Sequence, residues 1–203
     1  MATTTIDAGK RVFTNLTSIK FTPWEILGTG ANSEIVGENE YDLVNIVGDS
    51  TSIEQADNDV SAIEHEFSSE PLHEVVTLGS KTFTCECIDF QNTVLKNLFG
   101  WTVNTDGTAF APIEYKDLYC KIELTFAGTN DIIVLPKVKL NSRAVIASMK
   151  TDVSRGTITG TCYSAWFKVG DVTGETDMAI IGSDPQGVPL TYTVSATKPA
   201  PAV

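Results

Sequence analysis

The stretch Leu118–Phe126 reads LYCKIELTF. Leu118, Cys120, Ile122, Leu124 and Phe126 are apolar, and Lys121, Glu123 and Thr125 alternate with them. Successive side chains of an extended chain point to opposite faces, so the first set forms one face of a strand and the second set the other. Such a strand lays its apolar face on another layer and leaves the second face to water, as in a half-buried antiparallel sheet. This pattern decides the fold class because it recurs: strand follows strand, with one convincing helix between them.

Downstream, Asp131–Leu140 (DIIVLPKVKL) predicts the second arm of a hairpin turning across Ala127–Asn130. Pro136 lies inside that arm and lacks a ladder donor, so the strand is expected at an edge or bulged there. Upstream, Arg11–Phe21 is a strand, expected to end at Phe21-Thr22-Pro23-Trp24. Tyr41–Val47 is extended, and the polar run Gly48–Asn58 is an exposed loop. Val60–Phe67 is extended, and Ser68-Ser69-Glu70-Pro71 turns the chain. Glu74–Leu78 and Lys81–Ile88 are expected to form a hairpin across Gly79-Ser80. Asn104–Gly107 is a turn, and Arg143–Lys150 and Gly156–Val169 are further strands. Neither face of the last is wholly polar, which predicts burial on both sides or within an assembly. Ala179–Ile181 and Leu190–Val194 add short strands.

The helix is expected at about 90–99. Phe90, Val94, Leu95, Leu98 and Phe99 share one face at helical spacing. Asp89 is the expected N-cap and Gly100 the left-handed residue after its end. The fold class is therefore mainly β: a β-sandwich or barrel-like arrangement of antiparallel sheets with one short flanking α-helix.

The chain has 203 residues and 42% hydrophobic content, enough for one medium all-β domain with a real core. It carries 26 acidic and 14 basic residues, a formal charge of −12. That disfavours a dedicated nucleic-acid binder, which needs cations to displace counterions from phosphates. Met1–Gly9 is short and polar, so no signal peptide is expected, and no window has the length of a membrane span. Cys85, Cys87, Cys120 and Cys162 fall in apolar strand patterns and read as small hydrophobes in a reducing compartment. A zinc site made from all four would want C-x-x-C knuckles at turns, which are absent.

Motifs that carry chemistry are weak throughout. Gly28-Thr29-Gly30 lacks the third glycine of a nucleotide fingerprint. His65-Glu66 and His73-Glu74 stand eight residues apart with Pro71 between, too far for a zincin helix; on adjacent strands they could still share a metal with Glu64 or Glu66. Glu54, Asp57 and Asp59 lack the spacing of a calcium loop. No G-x-S-x-G elbow occurs. No catalytic, cofactor-binding or metal-binding residue is assigned, no cofactor is expected, and the chain is expected not to be an enzyme. An alternative is a β-sandwich module that binds carbohydrate or a cell surface through Trp24, Trp101 and Trp166.

The order of segments resembles a known family. A polar acidic loop (Ser50–Asn58) leads into VSAIEHEFSSEP (Val60–Pro71), then a hairpin ending in TFTCECIDF. A short helix closing on Leu98-Phe99-Gly100 follows, then KIELTFAGTNDIIVLPKVKL, Ala144–Met149 and Gly156–Phe167. Over roughly Asp42–Phe167 this resembles the major tail tube protein of long-tailed bacteriophages and related injection machines. The resemblance implies one tail-tube domain over residues 1–203 that self-assembles into stacked hexameric rings. The rings would form a hollow tube in the virion that conducts DNA during ejection, made in the host bacterial cytoplasm. It implies tape-measure, tail-tip and tail-terminator proteins as partners, with viral DNA passing without specific binding and no membrane contact. Residues 48–74 would be a long inter-ring loop, and residues 1–10 and 198–203 flexible arms. Acidic charge lining the bore would repel phosphates, so a net-negative lumen is expected.

Overall fold

The computed structural model describes residues 13, 15–26, 34–65, 68–114, 116–145, 154–184 and 186–198. In chain order the elements are β1 (Leu16–Ile26), β2 (Glu34–Val36), β3 (Tyr41–Asp42), β4 (Ser52–Gln55), β5 (Asp59–His65), β6 (Ser68–Thr77) and β7 (Lys81–Cys87). Then come α1 (Asn92–Leu98), β8 (Thr102–Val103), β9 (Ala109–Phe110), β10 (Leu118–Phe126), β11 (Ile132–Leu140) and β12 (Arg143–Val145). The last are β13 (Arg155–Tyr163), β14 (Ala165–Val169), β15 (Val172–Thr176), β16 (Ala179–Ile181) and β17 (Tyr192–Ser195). The protein is mainly β with antiparallel sheets and a single helix among the described residues, as the sequence pattern requires.

The main sheet runs β2-β1-β10-β11-β13-β7-β4, with β3, β12 and β16 paired at its sides. It does not close into a barrel. It curls far enough for the Phe21 ring on β1 to meet Phe83 on β7 edge-on, centroids 6.3 Å apart. The stretch between β3 and Val47 spans the gap: Leu43 N–H donates to Ile19 O, and Val47 N–H donates to Glu86 O. The core inside this curl holds Ile19, Phe21, Phe83, Cys85, Ile122, Leu124, Leu135, Val138 and Ile158. Leu98 and Val94 of α1 complete it.

β10 alternates as expected, with Cys120, Ile122 and Leu124 buried, but the opposite face is not left to water: the Lys121 and Glu123 side chains are only 13% and 14% exposed. Its hairpin with β11 is present. Pro136 occupies a bulge, since Cys120 pairs with Val138 but Ile122 pairs with Leu135. β11 is not an edge strand; β10 flanks one side, β13 and β16 the other. The extra residue flips the strand's inward face. Leu135, Val138 and Leu140 enter the main core, while Ile132 and Val134 enter a second, smaller cluster with Phe167 and Ile181. One strand thus serves two layers, the second being the sheet β15-β14-β17.

Several sequence expectations are corrected. β1 does not stop at Pro23 but continues to Ile26. Pro23 accepts at its carbonyl from Gly37 N–H, so its missing donor falls on the side where β2 and β3 leave a gap in the ladder. Gly48–Asn58 is not all loop: β4 lies within it, paired to β7. Ser68–Pro71 is extended within β6. Gly79-Ser80 joins no hairpin, because β6 pairs with β5 while β7 pairs with β13 and β4. Gly156–Val169 is two strands, β13 and β14, separated at Ser164 and assigned to different sheets. The helix is shorter than expected, and its N-cap is Gln91 rather than Asp89. Asp89 is buried and its carboxylate accepts from Gln91 N–H at 3.0 Å, forming a turn ahead of the helix. Gly100 takes φ +70°, as a helix-ending glycine should.

Candidate assembly surfaces

β5 and β6 form a two-stranded ribbon that pairs with no other strand among the described residues. Its described side chains are exposed, including Val60, Val75, Val76 and, just beyond, Leu78 at 73%. Val75 and Val76 are consecutive, so both faces of the ribbon present valine to solvent. A two-stranded ribbon without a covering layer is marginal in water. Its base, by contrast, is pinned. Ala56 N–H donates to Ser80 O, Gly79 N–H to Asn58 Oδ1, and a Cβ on Gly79 would stand 1.9 Å from Ala56 O.

Charge is divided between parts of the chain. Residues 21–80 contain thirteen Asp and Glu and no Lys or Arg. Residues 132–170 contain six Lys and Arg and one Asp. The acidic half includes the ribbon and its approach, where Glu54, Asp57, Asp59 and Glu74 are exposed. The cations on the outer face of the main sheet are largely answered locally. Lys20 pairs with Glu40 at 2.7 Å, Lys139 with Asp117 at 2.8 Å, and Arg155 with Glu86 at 3.5 Å. The hydrogen bond to Glu40 raises the Lys20 ammonium above its ordinary value despite partial desolvation. Lys137 lies over the rings of Trp24 and Tyr119, 5.0 and 4.8 Å from their centroids. The acidic excess of the chain is concentrated in the segment that leads into and through the ribbon.

A second exposed region gathers around β12. Its outer edge pairs with no strand among the described residues. Arg143 and Val145 are exposed on it, and Arg155 stands opposite Val145. Pro112, Glu114, Lys116, Asn141 and Ser142 line one small cleft beside it, of about 90 Å³. Ile113, between two of those residues, is fully exposed, and Phe110 is 56% exposed. Among the described residues nothing covers these apolar side chains.

Sequence candidates fall as follows. The four cysteines are free and buried. Burial raises all four thiols, Cys162 up to about 11, so none is poised as a nucleophile. Tyr41 Oη is buried beside Cys87 and Cys120 and is raised by the same desolvation. Among the described residues no cluster of His, Cys, Asp and Glu could hold a metal. His65 and His73 lie on adjacent strands but are not opposed, since His73 pairs with Ile63 and His65 with Ser68. Their side chains, and Glu66, lie outside the described residues, as do Gly28-Thr29-Gly30 and the arms 1–10 and 199–203. Glu54, Asp57 and Asp59 are spread over β4, a connection and β5.

Of the three tryptophans, Trp24 borders a cleft of about 820 Å³ that also includes Tyr41, Tyr119, Asn92 and Lys96. It is buried, and its Nε1–H donates to Pro136 O at 2.9 Å, which ties the indole to the bulge. Trp101 packs against the main core, and Trp166 lies under Lys198. They do not form a row of presented aromatics. On the opposite flank, Tyr192 Oη donates to Glu123 Oε1, which also receives Lys121 Nζ at 2.5 Å. This part-buried trio fastens β17 to β10. The strand expected at Arg143–Lys150 is present over its described part, Arg143–Val145, and what sequence reasoning did not mark is the exposed apolar surface near it.

No family model matches this chain. No curated protein matches it either. Among solved structures it is similar to a chain in the cryo-EM structure of the anti-feeding prophage baseplate, 6-fold symmetrised, with 12% identity and a TM-score of 0.40. The alignment covers 87% of this chain and 98% of that one. A likeness of that size carries no argument about function. No helix among the described residues is long and apolar enough to cross a membrane.

Proposed function

We propose that this chain is a structural subunit that works by self-association, without a reactive centre, as a tail tube protein of the long-tailed phage type. In this reading its copies form stacked hexameric rings around a bore that conducts DNA, with tape-measure, tail-tip and tail-terminator proteins as partners. The observation that carries it is the β5–β6 ribbon, which presents valines on both faces with no covering layer among the described residues. A subunit that completes this ribbon with a neighbour recovers the burial that a lone copy forgoes. The segment order quoted above supports the same reading. The acidic excess over residues 21–80 suits a surface that DNA passes without adhering. Negative-stain microscopy and light scattering on concentrated pure protein test it: rings or tubes are expected. A monomer at every concentration, or turnover of a substrate by the pure protein, would overturn it.

A further inference from the structure

We infer that the cleft between the β2–β3 connection, α1 and the start of β10 binds an uncharged saccharide. The site does not depend on self-assembly. The cleft encloses about 820 Å³, a size that holds small ligands. Trp24, Tyr41 and Tyr119 line it. Trp24 Nε1–H is held by Pro136 O, and Tyr41 Oη is buried beside Cys87 and Cys120. Both residues therefore lend the cleft ring surface, which suits the C–H face of a sugar.

The polar lining is uncommitted. Among the described residues no hydrogen bond or ion pair occupies the side chains of Glu25, Asn39, Asn92, Thr93, Lys96 or Asn97. Asn39 comes from the β2–β3 connection and the last four from α1 and its first turn, so they converge from separate elements. An amide donates and accepts at once, as neighbouring sugar hydroxyls do.

The charge of the lining sets the class of ligand. Glu40 and Asp117 are answered by Lys20 and Lys139, which leaves Glu25 and Lys96, one of each sign. A phosphate or sulfate would meet three carboxylates for one ammonium, which disfavours an anionic ligand. Aliphatic lining is confined to Pro23, Val103 and Leu118, too little to bury an acyl chain. An uncharged polyol with one apolar face satisfies both limits.

The test titrates dilute full-length protein with chitotriose, maltotriose and lactose, followed by calorimetry and by the side-chain amide NMR signals of Asn39, Asn92 and Asn97. At least one sugar should bind saturably with Kd below about 1 mM and shift those signals. Asn39→Ala with Asn92→Ala should weaken binding about tenfold, since two neutral hydrogen bonds are lost. Thr93→Trp, at an exposed position, should fill the cleft and abolish binding, with circular dichroism checking both folds. No saturable binding of any of these sugars at about 10 mM, binding unchanged in both variants, or tighter binding of sialyllactose than of lactose would overturn the site. Those results would leave the self-assembly reading standing, and a chain that stays monomeric would leave the site standing.

Discussion

Gly156→Ala adds one methyl group where the structure leaves no room for it. A Cβ there would lie 2.3 Å from Phe99 Cζ and 3.0 Å from Cε1. Ordinary carbon contacts are about 3.5–4.0 Å, so the ring must retreat by more than about 1 Å. Phe99 is 6% exposed and stacks on Phe90 with centroids 6.2 Å apart, so it has nowhere easy to go. The glycine cannot yield either, because β13 is held there between Cys87 of β7 and Ala144 of β12. Overpacking of this kind costs about 1–3 kcal/mol. Replacing glycine also removes freedom from the unfolded chain, which returns about 0.4–1 kcal/mol. The net is a destabilisation of about 1–2 kcal/mol, or a Tm lower by about 2–8 °C for a chain of this size. Thermal unfolding followed by circular dichroism on dilute protein measures it. Phe99→Leu supplies the control: in the Gly156→Ala background it should cost less than in wild type, with a coupling of at least about 0.5 kcal/mol. A Gly156→Ala protein as stable as wild type, or strictly additive changes, would refute the packing of α1 over β13.

Other outcomes follow from the same structure. Trp24→Phe strands the buried Pro136 carbonyl and should lower stability by about 1–2 kcal/mol in urea denaturation, with the Phe variant otherwise folded. The cysteine thiols are raised above their ordinary value near 9 by burial, Cys162 to about 11. A group raised in the folded state contributes fully below its unfolded value, so stability is held to about pH 9 and declines through about pH 11. Urea midpoints at about pH 8 and about pH 10.5 should show that fall, and native protein should leave thiol reagents unreacted until it unfolds. Gly79→Ala forces the ribbon away from Ala56, so hydrogen exchange at 59–61 and 74–77 should quicken while the β7 and β13 amides stay protected. Tyr192→Phe removes the donor that joins β17 to Glu123 and should loosen the β14–β17 pairing first, seen as faster exchange at 192–195.

The chain by itself determined whatever depends on local alternation. The β10–β11 hairpin, an irregularity at Pro136 (an edge or a bulge), the short helix with Gly100 at its end and four inert cysteines were all legible there. Each is encoded within a few residues, by a period of two, a missing donor or a left-handed glycine. Partnership between distant segments was not encoded that way. Gly79-Ser80 has the chemistry of a hairpin turn, yet β6 turned back on β5 because β7 found better burial between β13 and β4. Pro23 looked like an end to β1, and only the gap between β2 and β3 made it tolerable. The strand 156–169 seemed continuous, and the choice of two sheets split it. The assembly surfaces were least legible of all. Val60–Phe67 and Glu74–Leu78 read as strands, but an exposed valine on them is recognisable only once the fold shows that no described residue covers it. Local patterns set which segments extend or coil; long-range competition for burial set which edges stayed open.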